Sequence, residues 1–362
     1  MLVTITWRRV LLVAVLVFVA GMAIAWSGVI HVGASTGHWA VTDWFLHWSM
    51  RNTVRTYAAL TVEEPAADAG GLVSAAGHYA GSCAVCHGAP GERPSPVMQA
   101  AAPPAPDLAV TAATYTDAEL FWIIKHGVKF TGMPAWPARE RDDEIRRMAA
   151  FVRRLPEMSA AEYRELAYGP KGRLAGGRPR SFEEALDDCE RCHANHGRGQ
   201  PEIPILAGQK PLYLLESLND FASGRRDGAV MTAAAARVSA AMRAALVEHY
   251  AARPGLDEVP VVAPQAQDAE PPTAAATAAA VVAHGIPELD LPACVRCHSP
   301  GKRPRYPILA GQKAEYLALR LRAWRSGEAV EASQPDEPMP MIARRIPEHL
   351  IEPLARYFAA RR

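Results

Sequence analysis

Six cysteines fall into three pairs of one design: Cys83 and Cys86, Cys189 and Cys192, Cys294 and Cys297. Each pair is spaced C-x-x-C and followed at once by a histidine, His87, His193 or His298. No cysteine is left over. Two thiols one helical turn apart add across the two vinyl groups of a haem, and a histidine on the same side reaches the iron, so porphyrin geometry sets the spacing. A lone C-x-x-C also suits a redox dithiol or half of a zinc site, but neither explains a histidine after all three pairs. The pattern reads as three covalently attached haem c groups.

The sixth position of each iron decides its chemistry, because an iron with protein ligands on both faces shuttles electrons and an open face binds oxygen or peroxide. After the first motif the candidate is Met133, in the Gly/Pro-bounded stretch KFTGMPAWP; Met148 and Met158 read as packing. After the second it is Met231, with Met242 inside the closing helix. After the third, Met339 and Met341 both offer a thioether. Laying MPMIARRI over MTAAAARV pairs Met339 with Met231, each followed four residues on by Ala343 or Ala235. The rival distal ligands are His126 and His196. A carbonyl should accept the Nδ1 proton of each motif histidine and fix its ring, and Pro106, Pro204 and Pro307 lie suitably downstream.

Such sites need elements to hold them. Apolar residues at helical spacing recur and strand patterns are nearly absent, so the expected fold is all-α. Closing helices are expected over Asp143 to Leu155, Ala240 to Ala252 and His349 to Ala360. The motifs recur every 105 residues or so, and the heptapeptide PILAGQK stands both at Pro204 to Lys210 and at Pro307 to Lys313. After it come Tyr213, Leu214, Leu218 and Phe221 in one copy and Tyr316, Leu317, Leu321 and Trp324 in the other, which read as core and haem-packing positions. The second and third units are thus a duplicated pair.

Arg8 and Arg9 precede an apolar run from Val10 to about Ile30, long enough to cross a bilayer as a helix. Residues 1–32 are read as an anchor, with a cleaved signal as the alternative because Ala23-Ile24-Ala25 resembles a cleavage site. Either way the remainder lies outside the cytoplasm, on the periplasmic face of the inner membrane. Residues 33–68 form a juxtamembrane segment rich in aromatics, including Trp39, Trp44, Phe45 and Trp48, suited to an interfacial belt or a partner helix. The expected units are 69–168, 182–256 and 284–362, divided by linkers at 169–181 and 257–283, the second Pro/Ala/Gln-rich and without a periodic apolar face. A formal net charge of +1 removes the electrostatic case for nucleic acid.

From residue 69 onward the chain resembles class I cytochromes c three times over: haem motif, proline-leucine segment, methionine loop, final amphipathic helix. The second and third units are similar to small periplasmic cytochromes that occur as fused pairs, through P-x-L-A-G-Q, the following Tyr-Leu and M-x-x-x-A. The first, with Tyr79, CAVCHGAPG, ELFWIIKHG and TGMPAW, resembles the cytochrome domains of membrane-anchored respiratory cytochromes, including haem-c subunits of some haem-copper oxidases. That resemblance implies that Tyr79 packs near Phe151 and that Met133 is an iron ligand.

The expectation is three class I cytochrome c domains in tandem behind an N-terminal transmembrane helix. They would carry electrons between a quinol-linked complex or dehydrogenase and a terminal oxidase or soluble carrier. Attachment to the bilayer would be through the N-terminal helix. The chain is read as an electron-transfer protein rather than an enzyme, at most a subunit of an oxidoreductase complex. Two alternatives stand beside this: a cytochrome subunit of a membrane alcohol or sugar dehydrogenase, and a haem enzyme of the peroxidase type.

Overall fold

The computed structural model describes residues 6–63, 72–169, 178–193, 201–257, 274–327 and 337–361. Among them every regular element is helical; the β pairings are two isolated bridges, Ala89 with Glu92 and Ile286 with Leu291. The expected linkers fall largely outside the described residues, at 170–177 and 258–273, as does the rival ligand His196.

Helix Trp7–Trp26 carries no acidic or basic residue after Arg9, and none of its side chains is buried. It is long and apolar enough to cross a membrane. Helix Ala40–Thr61 comes next. Its far half lies on the first motif's helices, with Val54 and Ala58 buried and the Tyr57 ring stacked 5.8 Å from that of Trp122. Its near half leaves Trp44, Phe45 and Trp48 exposed.

Around the first motif the core is aromatic. Tyr79 is fully buried, its ring 5.4 Å from Phe151 and 6.4 Å from Tyr163, as the resemblance implied for Phe151. Phe151 lies on helix Asp142–Arg154, whose acidic first turn and basic last turn match the helix dipole and whose apolar stripe of Ile145, Met148, Ala149, Phe151 and Val152 is buried. Met158 is buried in the same core, so both it and Met148 pack within it. The Tyr79 hydroxyl donates to the Gly88 carbonyl at 2.7 Å, one residue past His87. We expect Tyr79→Phe to orphan that carbonyl and cost about 1–3 kcal/mol, read as a lower midpoint in chemical denaturation with the haem content unchanged.

The approach to the motifs differs. Residues Tyr79–Cys83 form a π-helical turn before helix Ala84–His87. The second motif instead ends a continuous helix, Phe182–His193. The third sits on the single turn Val295–His298.

The duplicated units match element by element. Helices Pro211–Ser223 and Ala314–Ser326 each run 13 residues and stop at a left-handed glycine, Gly224 and Gly327. Helices Ala229–Arg237 and Met339–Arg344 carry the candidate methionines, and Ala240–Ala251 and Glu348–Ala359 close the units. One boundary is corrected: residues 274–283, read as the end of a linker, form most of helix Ala274–His284. Alanine is the best helix former, and Ala278, Val281 and Val282 make the i, i+3, i+4 stripe that the reading missed; all three are buried against Leu354, Ala355 and their neighbours.

The repeated heptapeptides meet face to face. Gln209 donates from Nε2 to the Ile308 carbonyl at 3.0 Å and accepts the Ile308 N–H at 2.8 Å. Gln312 does the same to Ile205, at 3.0 and 2.9 Å. Both glutamines are only 3 % exposed. Gly208 and Gly311, both at positive φ, donate to the last turns of their closing helices, at Tyr250 and Phe358. The contact has an approximate two-fold symmetry.

Candidate functional site

Each motif histidine is held as expected. Nδ1 of His87 lies 2.8 Å from the Pro106 carbonyl, and those of His193 and His298 lie 3.0 Å from the Pro204 and Pro307 carbonyls. A carbonyl partner fixes the tautomer with the proton on Nδ1 and turns Nε2 outward as a donor to iron. Burial lowers the pKa of all three rings, that of His193 to about 4, with the proline carbonyls pulling weakly the other way. Each is therefore a neutral imidazole ready to ligate.

Burial pushes the thiols of Cys83 and Cys189 up to about 12 and that of Cys294 to about 11. Among the described residues no group of three His, Cys, Asp or Glu side chains is arranged to hold a metal ion.

The second and third motifs open onto one cavity of about 650 Å³. Cys189, Cys192 and His193 line one part of it and Cys294, Cys297 and His298 another; Met231 and Met339 are on its walls as well. Met341 is 56 % exposed, which favours Met339 over it. Met242 packs against the Ala185, Val238 and Leu246 cluster.

The cavity fits a large, mainly apolar ring that carries carboxylates. Two buried guanidiniums, Arg226 and Arg320, stand on its walls, over the rings of Phe221 and Trp324 at 4.7 and 4.5 Å. Arg226 donates to the Ser217 and Tyr316 hydroxyls at 2.7 and 3.1 Å, which holds its positive charge on this wall. The buried indole N–H of Trp324 and hydroxyl of Tyr250 on the same walls have no hydrogen-bond partner among the described residues. These polar groups suit the carboxylate edge of a haem; Trp324 was read from the sequence as a haem-packing position, whereas Arg226, Arg320 and Tyr250 were not singled out.

Met133 sits half-buried on the loop between helices Asp117–His126 and Asp142–Arg154. Its carbonyl accepts from Val128 N and its N–H donates to the Thr131 hydroxyl at 3.1 Å. Gly127 (φ 64°) closes the loop, and a Cβ there would stand 2.5 Å from the Pro134 backbone, so no other residue fits. The rival His126 is exposed, its ring against Trp122 at 4.8 Å.

Residues 72–152 match the family described as cytochrome C oxidase, cbb3-type, subunit III. The thiosulfate dehydrogenase electron acceptor of Thiomonas intermedia (strain K12) is 33% identical over 207 residues, which are 54% of this chain and 90% of that protein. The chain belongs to the cytochrome c electron-transfer family. Cytochrome c4 of Thiocapsa roseopersicina is 30% identical over 175 residues, 47% of this cytochrome and 84% of that one. The solved structure of thiosulfate dehydrogenase (TsdBA) from Marichromatium purpuratum is 35% identical over 48% of this cytochrome and 36% of that chain, with a TM-score of 0.40. Membership brings covalently bound haem c with it.

These relatives correct one expectation. From its sequence the chain was set apart from enzymes, as an electron-transfer protein; two of its relatives are named thiosulfate dehydrogenase electron acceptor, and it stands among enzyme-related cytochromes. The expectation came from fully ligated irons, and ligation says nothing about an enzyme that a cytochrome serves or joins.

Proposed function

We propose that this cytochrome holds three haem c groups, receives electrons at the periplasmic face from a dehydrogenase of the thiosulfate-oxidising type, and delivers them to a membrane respiratory complex such as a terminal oxidase. The observation that carries the reading is the common cavity, which gathers two motif histidines, two methionines and two buried arginines about one space. A bound haem c supplies reversible one-electron exchange at its iron.

The chain's own residues do the rest. Cys83 and Cys86, Cys189 and Cys192, and Cys294 and Cys297 would hold the macrocycles, and His87, His193 and His298 would each supply an imidazole nitrogen to an iron. Met133, Met231 and Met339 would supply the second protein ligand, a thioether being the choice that raises the potential. Arg226 and Arg320 would offset the carboxylates of the second and third groups, and the glutamine contact fixes these two sites against each other. The units are 69–168, 182–256 and a third that begins at helix Ala274–His284, with Trp7–Trp26 as the anchor.

The purified cytochrome in detergent is expected to turn ferrous when thiosulfate and a thiosulfate dehydrogenase are added together, and ferric again on addition of membranes with an active terminal oxidase. Optical spectra track both steps. A protein that dithionite reduces but that stays ferric with thiosulfate and the dehydrogenase overturns the assignment of the donor.

A further inference from the structure

One buried carboxylate links the first motif's helices to the wall of the cavity that the second motif faces. Glu144, on helix Asp142–Arg154, is 7 % exposed. Its Oε2 accepts the Ala229 N–H at 2.8 Å and the Trp136 indole N–H at 3.3 Å, and its Oε1 is 3.1 Å from an Arg141 nitrogen. Arg141 is itself clamped by both oxygens of Asp143, at 2.8 Å each.

Both N–H partners stand close in the chain to a candidate iron ligand. Ala229 is the first residue of helix Ala229–Arg237, with Met231 in its first turn. The residue before it is Gly228, which has no side chain to cap that helix. A Cβ on Gly228 (φ 154°) would press on Phe221, Arg141 and Glu144 at 3.0, 3.3 and 3.5 Å, so glycine there makes room for a cap from another part of the chain. Trp136 stands three residues past Met133, between Pro134 and Pro137. It is buried, with its ring 4.8 Å from His78 at the end of the helix leading into the first motif. A single carboxylate thus grips the methionine loop of one site and the methionine helix of the next. Arg147 extends the seam from Asp143, at 3.0 Å, to Glu202, at 3.5 Å, two residues before the Pro204 carbonyl that holds His193.

We propose that Glu144 is a positioning residue for Met231, tying the second site's distal ligand to the first site's methionine loop. The inference rests on the ligand reading given under the proposed function. A cap that holds the helix start keeps the thioether at bonding distance from its iron; without the cap the first turn frays and the bond is lost in part of the population.

The test uses the full chain carrying its haems, in detergent. Met231→His first marks which share of the far-red methionine-to-iron absorption and which midpoint potential belong to the second site. Glu144→Ala is then expected to lose that same share and lower that same potential, with the other two potentials unmoved. Glu144→Gln, which keeps an oxygen for Ala229 and Trp136, is expected to restore most of both. Should Glu144→Ala not accumulate as folded protein, Glu144→Asp, one methylene short of Ala229, carries the same test. Folded variants with all three potentials and the far-red band unchanged overturn the role of Glu144. A Met231→His protein with an unaltered far-red band overturns the ligand reading instead, and the inference with it.

Discussion

Replacing Cys83 and Cys86 together by alanine is expected to take the haem content from three groups per chain to two, the largest single effect on the electron-transfer capacity of this protein. Cys83 ends the π-turn and Cys86 lies in the short helix that follows it, three residues on, the spacing that suits the two vinyl groups of one haem. Without them, His87 and Met133 would have to retain a haem by coordination alone, and it dissociates on denaturation. Haem counts by alkaline pyridine spectra and the mass of the intact chain read the result. Cys83 packs against the edge of the core of Tyr79, Phe151 and Tyr163, and alanine keeps its Cβ there, so the variant is expected to accumulate with its helix content largely intact. A haem count unchanged after denaturing extraction would show that the first motif is not an attachment site.

Gln209→Ala is expected to be the most destabilising single change outside the motifs. It deletes a buried amide that pairs with both the N–H and the carbonyl of Ile308 and also accepts the Lys210 N–H, leaving the two Ile308 groups without a partner in an apolar contact. Each orphaned group costs ~1–3 kcal/mol, so the change should cost about 2–6 kcal/mol. Gln312→Ala removes the mirror pair at Ile205 and should cost about as much. Gln209→Glu keeps the acceptor for Ile308 N–H but sets an oxygen against the Ile308 carbonyl, so it should fail to rescue. Urea unfolding monitored at the haem bands gives the measurement. Either alanine variant is expected to split one transition into two as the second and third sites unfold apart. A single transition at the original midpoint would show that the contact does not hold these sites together.

Chemistry was legible in the sequence wherever it depends on neighbours in the chain. C-x-x-C-H is such a pattern, and so is a proline carbonyl set a short loop beyond each motif; the structure places Pro106, Pro204 and Pro307 against the three imidazoles. The closing helices were legible through their apolar stripes. The roles of Gln209 and Gln312 were not, although the heptapeptide itself was plain, because their partners lie about a hundred residues away and an identical repeat does not say that its copies touch. Glu144 reads as one more acid in the first turn of a helix, where the dipole alone would explain it. Its burial depends on a glycine 84 residues further on, and no local pattern carries that. Helix Ala274–His284 was hidden by its company: a Pro-rich run just before it lowered the apparent helix signal of an alanine stretch.

The contact between the two heptapeptides has the form of a homodimer interface, self-complementary about a two-fold axis, within a single polypeptide. Its arithmetic therefore differs from that of an ordinary domain contact. When one copy of the segment serves both sides, every substitution is made twice; once two copies exist, a change in Gln209 or Ile308 can be answered by its opposite number alone. Duplication of this kind frees one half to tune its own iron while the other half preserves the fit between them.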